Sequence, residues 1–230
     1  LKARQLGCTN THFNNPNGLP DEKHYTTAND MAKIARAAWF NPTFRKYCTT
    51  GYYEIPATNK FSETRYLLNH HKMMSGQAYA YDGVFGGKTG YTEAAGNTLV
   101  TFARRGNMYL VSVVMQSING AYSDTKSLLD YGFNNFSRSA IKAKKEICFS
   151  CLPAEKYLIK DYRKCVLFYS MKTPSVALPN DADTASVKKN YSIQKNPAGR
   201  PLLTINYIFN GHQVGTARYY PKNSISDLLL

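Results

Sequence analysis

The sequence predicts an α+β fold, in which an antiparallel sheet with helices is followed by a small all-β domain. Two apolar runs, 97–103 and 108–115, have the composition of strands, and Arg104–Asn107 between them have that of a turn. A helix fits Ser123–Phe136, with Leu128, Leu129, Tyr131 and Phe133 on or near its buried face. After this helix, short β-like runs are interrupted by prolines, which is typical of a small all-β domain.

The residues before the sheet predict further helices, a loop and a hairpin. In chain order these are the end of a helix at Leu1–Gly7, a loop over 10–28, a helix that starts after Thr26 or Thr27 and ends at Asn41-Pro42, and a short hairpin within 43–68. Asp30 falls in the first turn of the second helix, where a carboxylate stabilises the helix dipole. This position explains Asp30 without a catalytic role.

The proline-interrupted β-like runs begin near residue 137. The clearest of them are Val166–Met171, Leu202–Phe209 and Val214–Tyr220. We therefore expect two domains, one over 1–136 and the other over 137–230.

Composition excludes several classes of protein. With 43% hydrophobic and 19% charged residues, the 230-residue chain is not disordered, and no apolar stretch approaches the length of a membrane span. Five cysteines are too few for a disulfide scaffold. The net charge is +14, and 137–230 carry 15 basic and 6 acidic residues. This excess predicts either an anionic partner surface, such as a membrane, or a solvated face; no nucleic-acid motif is present, so nucleic acid is not expected.

Residues 84–90 predict one more strand, rich in glycine and carrying polar chemistry. On a strand edge that lines a cleft, Lys88 supplies a positive charge and Thr89 a hydroxyl donor for a substrate carboxylate. Gly90 allows another backbone to approach closely. Because an extended peptide adds to such an edge through main-chain hydrogen bonds, the segment predicts a site for a peptide carboxylate.

Four stretches match one known family in order. They are the loop Thr11-His12-Phe13 … Gly18-Leu19, the helix start Tyr25-Thr26-Thr27-Ala28 … Asp30-Met31-Ala32, the run from Asn69 to Gly86-Gly87-Lys88-Thr89-Gly90, and the helix end Leu128-Leu129-Asp130-Tyr131-Gly132-Phe133. In these residues the chain resembles the D-alanyl-D-alanine carboxypeptidases, low-molecular-mass penicillin-binding proteins of the serine-peptidase type. The resemblance implies that 1–136 is the C-terminal part of a penicillin-binding/β-lactamase-like domain, a partial transpeptidase-like catalytic domain. It implies that 137–230 is a β-rich accessory domain.

Such enzymes carry three motifs in chain order: Ser-x-x-Lys with the nucleophile, Ser-x-Asn, and Lys-Thr-Gly. Only the third is where the family places it, at Lys88–Gly90. We expect the first two upstream of Leu1. The chain is then a fragment that lacks the nucleophile segment and is inactive alone.

Ser-x-x-Lys also occurs after Lys88, in the wrong order. The four matches are Ser123–Lys126, Ser139–Lys142, Ser186–Lys189 and Ser192–Lys195, and Ser117-Ile118-Asn119 mimics the second motif. A pattern with two fixed residues arises by chance about once in a chain of this composition. We interpret these copies as chance matches.

The resemblance implies six substrate-binding residues and no catalytic residue within this chain. They are Lys88, Thr89, Gly90, Tyr91, Asn69 and His70. Lys88 is expected to act electrostatically, Thr89 to contact the terminal carboxylate, and the Tyr91 N–H to be one of two oxyanion-hole donors. His70 is a departure, since relatives can have an arginine after the asparagine.

The resemblance implies a hydrolase: a serine-type carboxypeptidase that removes the terminal D-alanine of peptidoglycan stem peptides through an acyl-enzyme. β-Lactams are expected inhibitors of the full enzyme, and no cofactor is expected. The full enzyme would be extracytoplasmic, in the cell wall or on the outer face of the cytoplasmic membrane, and either secreted or membrane-associated. Its role would be in peptidoglycan biosynthesis and cell shape. A β-lactamase-related hydrolase and a non-catalytic cell-wall-binding protein remain as alternatives.

Three other features have structural or open interpretations. The His70-His71 pair has no partner at metal-ligand spacing, so a place in a cleft wall is favoured and no metal is expected. Cys148 and Cys151 have redox spacing but no helix start that would lower a thiol pKa. The final leucines, Leu228–Leu230, are expected either to begin an apolar anchor or to be a frayed tail.

Overall fold

The chain forms two compact units, Leu1–Asn134 and Asn135–Leu230. A computed structural model describes residues 1–118, 120–141, 146–149, 166–170, 173–195 and 201–221. The division between the units comes two residues before the boundary expected from the sequence.

The first unit consists of helices on a small antiparallel sheet, with a separate hairpin. Its elements are α1 (Lys2–Gln5), α2 (Ala28–Trp39), α3 (Pro42–Thr49), β1 (Tyr52–Ile55), β2 (Arg65–Leu68), β3 (Val84–Thr92), β4 (Gly96–Arg105), β5 (Met108–Val114) and α4 (Ala121–Asn135). Strands β1 and β2 form the hairpin, and β3, β4 and β5 form an antiparallel sheet in that order. The predicted hairpin and the predicted run of three strands are both confirmed.

Side-chain caps fix the helix starts. Of the two threonines that the sequence offers as caps, Thr27 caps α2 by accepting a hydrogen bond from the Asp30 amide, at 3.2 Å. Asn41-Pro42 does follow the end of α2, but it also begins α3, a helix that is not among those predicted from the sequence. Asn41 Oδ1 accepts from the amides of Thr43 and Phe44 at 2.9 and 3.1 Å, and proline is well suited to the first helical position.

Asp30 does more than complement the helix dipole. Its side chain is buried, and its Oδ2 accepts hydrogen bonds from the Asn10 amide and the Thr11 hydroxyl, both at 2.8 Å. Oδ1 pairs with Lys33 Nζ at 3.0 Å. Burial alone raises the pKa of this carboxyl, but the hydrogen bonds from Asn10, Lys33 and Thr11 outweigh it and hold the pKa below its usual value. Asp30 therefore anchors the N-terminal loop to α2.

Helix α4 packs on one face of the sheet through residues four positions apart. Leu129 is buried together with Ala121 and Thr125, which share its helix face. Leu128 and Tyr131, which are predicted from the sequence to lie on or near the buried face, are instead 48% and 59% exposed. Their positions on the helix turn them away from the stripe that Leu129 defines. The core of this face consists of Met73, Met74, Val84, Leu99, Ala103, Val114, Ala121 and Leu129.

The opposite face of the sheet is covered by α2 and α3. Phe102 points to this face because its neighbour Ala103 points to the other. The Trp39 ring, at the end of α2, lies 5.3 Å from the ring of Phe102 and 4.9 Å from that of Phe85. Phe44 of α3 meets Phe102 edge to face at 6.1 Å. Both faces of the strand that carries Lys88 therefore rest on packed side chains.

The second unit is built from antiparallel strands. They are β6 (Phe136–Ala140), β7 (Glu146–Phe149), β8 (Val166–Tyr169), β9 (Ser175–Pro179), β10 (Lys188–Lys195), β11 (Pro201–Phe209) and β12 (His212–Pro221), with a 3-10 turn at Thr184–Ser186. One sheet has the order β10-β11-β12-β8-β7, and β6 pairs with β9. Its core is Ile141, Val176, Leu178, Val187, Leu203, Ile205, Tyr207, Ala217 and Tyr219. The three runs predicted from the sequence correspond to β8, β11 and β12.

Candidate functional site

The segment that carries the predicted chemistry lies in strand β3, as expected. Lys88 pairs with Val100 and Thr89 with Leu99 of the central strand β4. Gly86 and Gly87 are buried, whereas Lys88 and Gly90 are exposed. The strand therefore passes from the core to the surface at Lys88.

Close contacts explain two of the glycines in this strand. A Cβ atom at Gly86 would lie 2.5 Å from the carbonyl oxygen of Cys48, at the end of α3. A Cβ atom at Gly90 would lie 2.5 Å from the hydroxyl of Thr98, its partner on β4. Glycine thus lets helix α3 and the Thr98 side chain press directly on the strand.

Within the described residues, β3 is hydrogen-bonded to β4 on one side only. Since N–H and C=O groups alternate in direction along an antiparallel strand, half of those of β3 point away from β4. The Lys88 ammonium donates to the carbonyl oxygen of Thr89, so it folds back onto its own strand. Thr89 is half-buried, and the Tyr91 ring is 70% exposed. This edge has the backbone groups and the cation that an extended peptide with a carboxylate requires.

Asn69 is held by backbone groups on three sides. Its side-chain amide donates to the carbonyl oxygens of Thr50 and Cys48 at 3.0 and 3.4 Å, and its Oδ1 accepts from the amide of His71 at 3.0 Å. Asn69 therefore fixes the chain that leads from the hairpin to His71. The next residue, His70, is exposed.

His71 lies against the strand, a position that was not predicted from the sequence. Its side chain is 1% exposed, and its Nε2 lies 2.9 Å from the hydroxyl of Thr101. A Cβ atom at Gly87 would come within 2.1 Å of the carbonyl oxygen of Val100, and within 2.5 Å of His71 Cδ2 and 2.6 Å of His71 Nε2. Burial lowers the pKa of this imidazole. No spacing rule joins residues 71 and 87; a glycine pair before Lys88 was the only sequence signal of a close neighbour.

The best-placed chance match to Ser-x-x-Lys has other partners. Lys126 Nζ lies 2.6 Å from Asp130 Oδ2, in an ion pair along α4. Ser123 is exposed, and its carbonyl oxygen accepts from the Ser127 hydroxyl. In the second mimic, the Ser117 hydroxyl donates to Asp124 at 2.5 Å. These contacts belong to a helix and its start.

A cavity of about 510 Å³ opens at the other end of β3. It is lined by Thr49, Gly51, Tyr52, Leu68, Met74, Ser75, Gln77, Val84 and Phe85. Lys88 and Thr89 do not line it, so it is separate from the exposed edge where the predicted chemistry lies.

Other sequence predictions have limited structural counterparts. In the part of the chain that the structure describes, no three His, Cys, Asp or Glu side chains form a metal-binding group. No helix among these residues is long and apolar enough to cross a membrane. The Cys148–Cys151 pair and the leucines Leu228–Leu230 lie outside the described side chains.

Comparison with known proteins gives one consistent result. Residues 1–119 match the sequence profile of the D-alanyl-D-alanine carboxypeptidases. The curated relatives include D-alanyl-D-alanine carboxypeptidase DacF of Bacillus subtilis, which is 28% identical over 85% of this chain and 48% of its own length. DacB2 of Mycobacterium tuberculosis is 35% identical over 57% of this chain and 45% of its own length. The chain thus spans about half the length of these relatives.

Solved structures similar to this chain are also D-alanyl-D-alanine carboxypeptidases. A D-alanyl-D-alanine carboxypeptidase from M. tuberculosis is 33% identical over 58% of this chain and 50% of its own, with a TM-score of 0.51. The carboxypeptidase DacD from Francisella tularensis covers 97% of this chain and 66% of its own, with a TM-score of 0.52 at 22% identity. The first comparison places the α+β fold among the penicillin-binding proteins, and the second extends the fold similarity across both units.

Proposed function

The chain belongs to the D-alanyl-D-alanine carboxypeptidase family, and we propose that it supplies the substrate-binding strand of a serine-type carboxypeptidase that acts on peptidoglycan stem peptides. The observation that carries the proposal is that Lys88 and Gly90 are exposed, with Thr89 half-buried between them, on a strand that pairs on one side only among the described residues. A peptide that ends in D-Ala-D-Ala has an extended backbone and a terminal carboxylate, and both match this edge.

Each residue of the strand takes a distinct part in the proposal. Lys88 places a positive charge beside the reacting carbonyl and the carboxylate, and the Thr89 hydroxyl donates to the carboxylate. The backbone N–H of Tyr91 donates to the oxyanion that forms when the carbonyl is attacked. Gly90 keeps the edge open for the peptide backbone. His70 is exposed and takes the place in which relatives can have an arginine.

Asn69 has a supporting part, because its amide is already used by backbone groups of the chain. In the proposed reaction, a serine hydroxyl attacks the penultimate D-alanine carbonyl, the terminal D-alanine leaves, and water hydrolyses the acyl-enzyme. Within these 230 residues no Ser-x-x-Lys precedes Lys88. We propose that this chain alone binds the peptide without cleaving it.

Peptide binding by the 230-residue chain tests the function. Amide resonances of Lys88–Tyr91 are expected to shift when an acetylated peptide ending in D-Ala-D-Ala is added. A peptide of the same sequence with a C-terminal amide is expected to bind more weakly, because it lacks the carboxylate. Lys88→Ala is expected to reduce binding, and Lys46→Ala, on the exposed side of α3, to leave it unchanged. Equal binding by wild type and Lys88→Ala would remove the site assignment.

The β-rich unit is proposed to lie at an anionic surface outside the cytoplasm, in the cell wall or on the membrane. Its described residues include the exposed cations Lys188, Lys189 and Arg218. Each basic group near an anionic membrane contributes about 1 kcal/mol to the free energy of binding, and salt screens this attraction. We expect the chain to bind vesicles of phosphatidylglycerol more than neutral ones, and to lose binding in Lys188→Gln/Lys189→Gln. The matched control is Lys46→Gln/Lys60→Gln in the first unit. Equal binding to neutral vesicles would contradict this location.

A further inference from the structure

A buried histidine supports the substrate strand directly behind its functional residues. His71 is 1% exposed, and its ring, together with the carbonyl oxygen of Val100, occupies the space that a side chain at position 87 would fill. Gly87 is the residue immediately before Lys88 and is itself buried. The imidazole is thus in contact with the backbone that leads into the exposed part of β3.

One hydrogen bond sets the orientation of the ring. Nε2 lies 2.9 Å from the hydroxyl of Thr101, a fully buried residue of β4 that pairs with Gly87 in the sheet register. Nδ1 is buried and has no hydrogen-bond partner among the described residues. The ring is therefore held from the β4 side and fills the layer beneath both strands at this pair.

The histidine is suited to this place by its size and its lack of charge. Burial lowers its pKa and so favours the neutral form of the ring. A lysine or arginine in this layer would put a second cation behind Lys88 and would need a partner for its charge. A smaller side chain would leave a cavity under the strand, and buried cavities are costly.

We infer that His71 is a positioning residue: held by Thr101, its imidazole supports β3 at Gly87 and fixes the backbone that presents Lys88 and Thr89 to substrate. The identity of the substrate in this inference rests on the proposed function. The support of β3 by His71 does not depend on it. It makes two residues outside the Lys-Thr-Gly motif, His71 and Thr101, determinants of how well the motif binds.

Hydrogen exchange of the 230-residue chain tests the support without any substrate. His71→Leu keeps the bulk of the side chain but lacks the hydrogen bond. In this variant the amides of 86–90 in β3 are expected to exchange about tenfold faster than in wild type, after correction for any change in the amides of β4 and β5. His71→Gln retains a polar group that can reach Thr101 and is expected to restore slow exchange. Leu129→Ala, a buried change in the same unit away from Gly87, is expected to accelerate exchange evenly across the sheet. Thr101→Val removes only the hydroxyl and provides a second variant if His71→Leu does not fold.

Peptide affinity provides the functional readout. The affinity is expected to fall in His71→Leu and to recover in His71→Gln. For hydrogen exchange, the control is His70→Gln at the exposed preceding residue, which should leave exchange at 86–90 unchanged. Exchange that is accelerated uniformly across the sheet in His71→Leu, as in Leu129→Ala, would overturn the inference. Fast exchange at 86–90 in His71→Gln would overturn it as well. If the wild-type chain binds no peptide but the local exchange effect is present, the proposed function fails and the support remains.

Discussion

The hydroxyl of Tyr81 donates to Oδ1 of Asp130 at 2.6 Å and so joins the segment before β3 to helix α4. Asp130 also pairs with Lys126, and the guanidinium of Arg105 lies 4.9 Å from the centre of the Tyr81 ring. Arg105 lies equally over the ring of Phe133, at 4.6 Å. The end of β4, the start of β3 and helix α4 therefore meet in one polar and aromatic cluster.

Tyr81→Phe is expected to lower the free energy of unfolding by about 1 kcal/mol, because a hydrogen bond to a half-buried carboxylate is lost while the ring contacts remain. Denaturant unfolding gives the difference as a shift in midpoint at constant slope. Tyr53→Phe, at an exposed hairpin position, is the control and should leave the midpoint unchanged. Equal midpoints for Tyr81→Phe and wild type would show that the hydrogen bond contributes nothing.

Gly86→Ala is expected to destabilise the first unit by about 1–3 kcal/mol, because the added methyl group would collide with the carbonyl oxygen of Cys48. The control is Gly51→Ala, whose Cβ meets only the Met74 methyl at an ordinary 3.9 Å. Gly51→Ala should change stability by less than about 1 kcal/mol. Thermal unfolding of both variants measures the contrast, and similar losses would contradict the close packing of α3 on β3.

Stability of the wild-type chain should fall as the pH drops below about 6.5, and His71 should account for part of the loss. Its folded-state pKa is lowered by burial, so between the folded and unfolded pKa values only the unfolded chain binds the proton. The contribution is complete above the unfolded pKa and is lost as the pH falls through this window. Urea midpoints measured between pH 4 and 8 should therefore fall more steeply towards acid pH for wild type than for His71→Gln, whose side chain does not titrate. Parallel curves would mean that His71 does not titrate differently on folding.

The 230-residue chain should form no covalent penicillin adduct, because Lys126, the lysine of the Ser-x-x-Lys match at Ser123, is paired with Asp130. Intact-mass spectrometry after incubation with excess penicillin measures this directly. A stoichiometric adduct would show that one of the Ser-x-x-Lys matches is functional. Ser123→Ala would then identify the site.

In a carboxypeptidase that contains this strand together with the serine, Lys88→Ala should slow acylation by about 10²–10³-fold through lost electrostatic stabilisation. Lys88→Arg should recover only part of the rate, because a planar guanidinium does not replace a compact ammonium. Single-turnover acylation by a chromogenic β-lactam gives the rates, and unchanged unfolding midpoints establish that the fold is intact. Full activity of Lys88→Ala would be incompatible with the proposed role.

Local patterns predicted the elements near the site well. The strands that carry Lys88 and its neighbours follow from β-branched runs and a glycine turn, and Thr27 caps α2 as its residue type indicates. Helix α3 was missed because Asn41-Pro42 signals both the end of one helix and the start of another. Where two helices are joined by a single residue pair, the stop signal of the first hides the start signal of the second.

The contacts of buried polar residues were beyond reach of the sequence. Asp30 was interpreted through the helix dipole, but its partners Asn10 and Thr11 are set by the path of a loop. His71 was considered with His70 as a cleft wall, yet the two adjacent side chains have opposite environments, one buried and one exposed. Such contacts depend on tertiary packing between segments that have no fixed spacing.

The order of strands in the two units has a consequence for folding kinetics. Strands β3, β4 and β5 are joined in sequence by short turns, whereas the second unit pairs Phe136 with Pro179 and Tyr169 with Tyr220. Pairing of residues close in sequence costs less loop-closure entropy, so local hairpins form earlier than distant pairs. During refolding, pulse-labelled amides of β3–β5 should gain protection before those of β6 and β9, which are far apart in sequence. The Lys-Thr-Gly strand would then be paired before the β-rich unit has formed its long-range strand pairs.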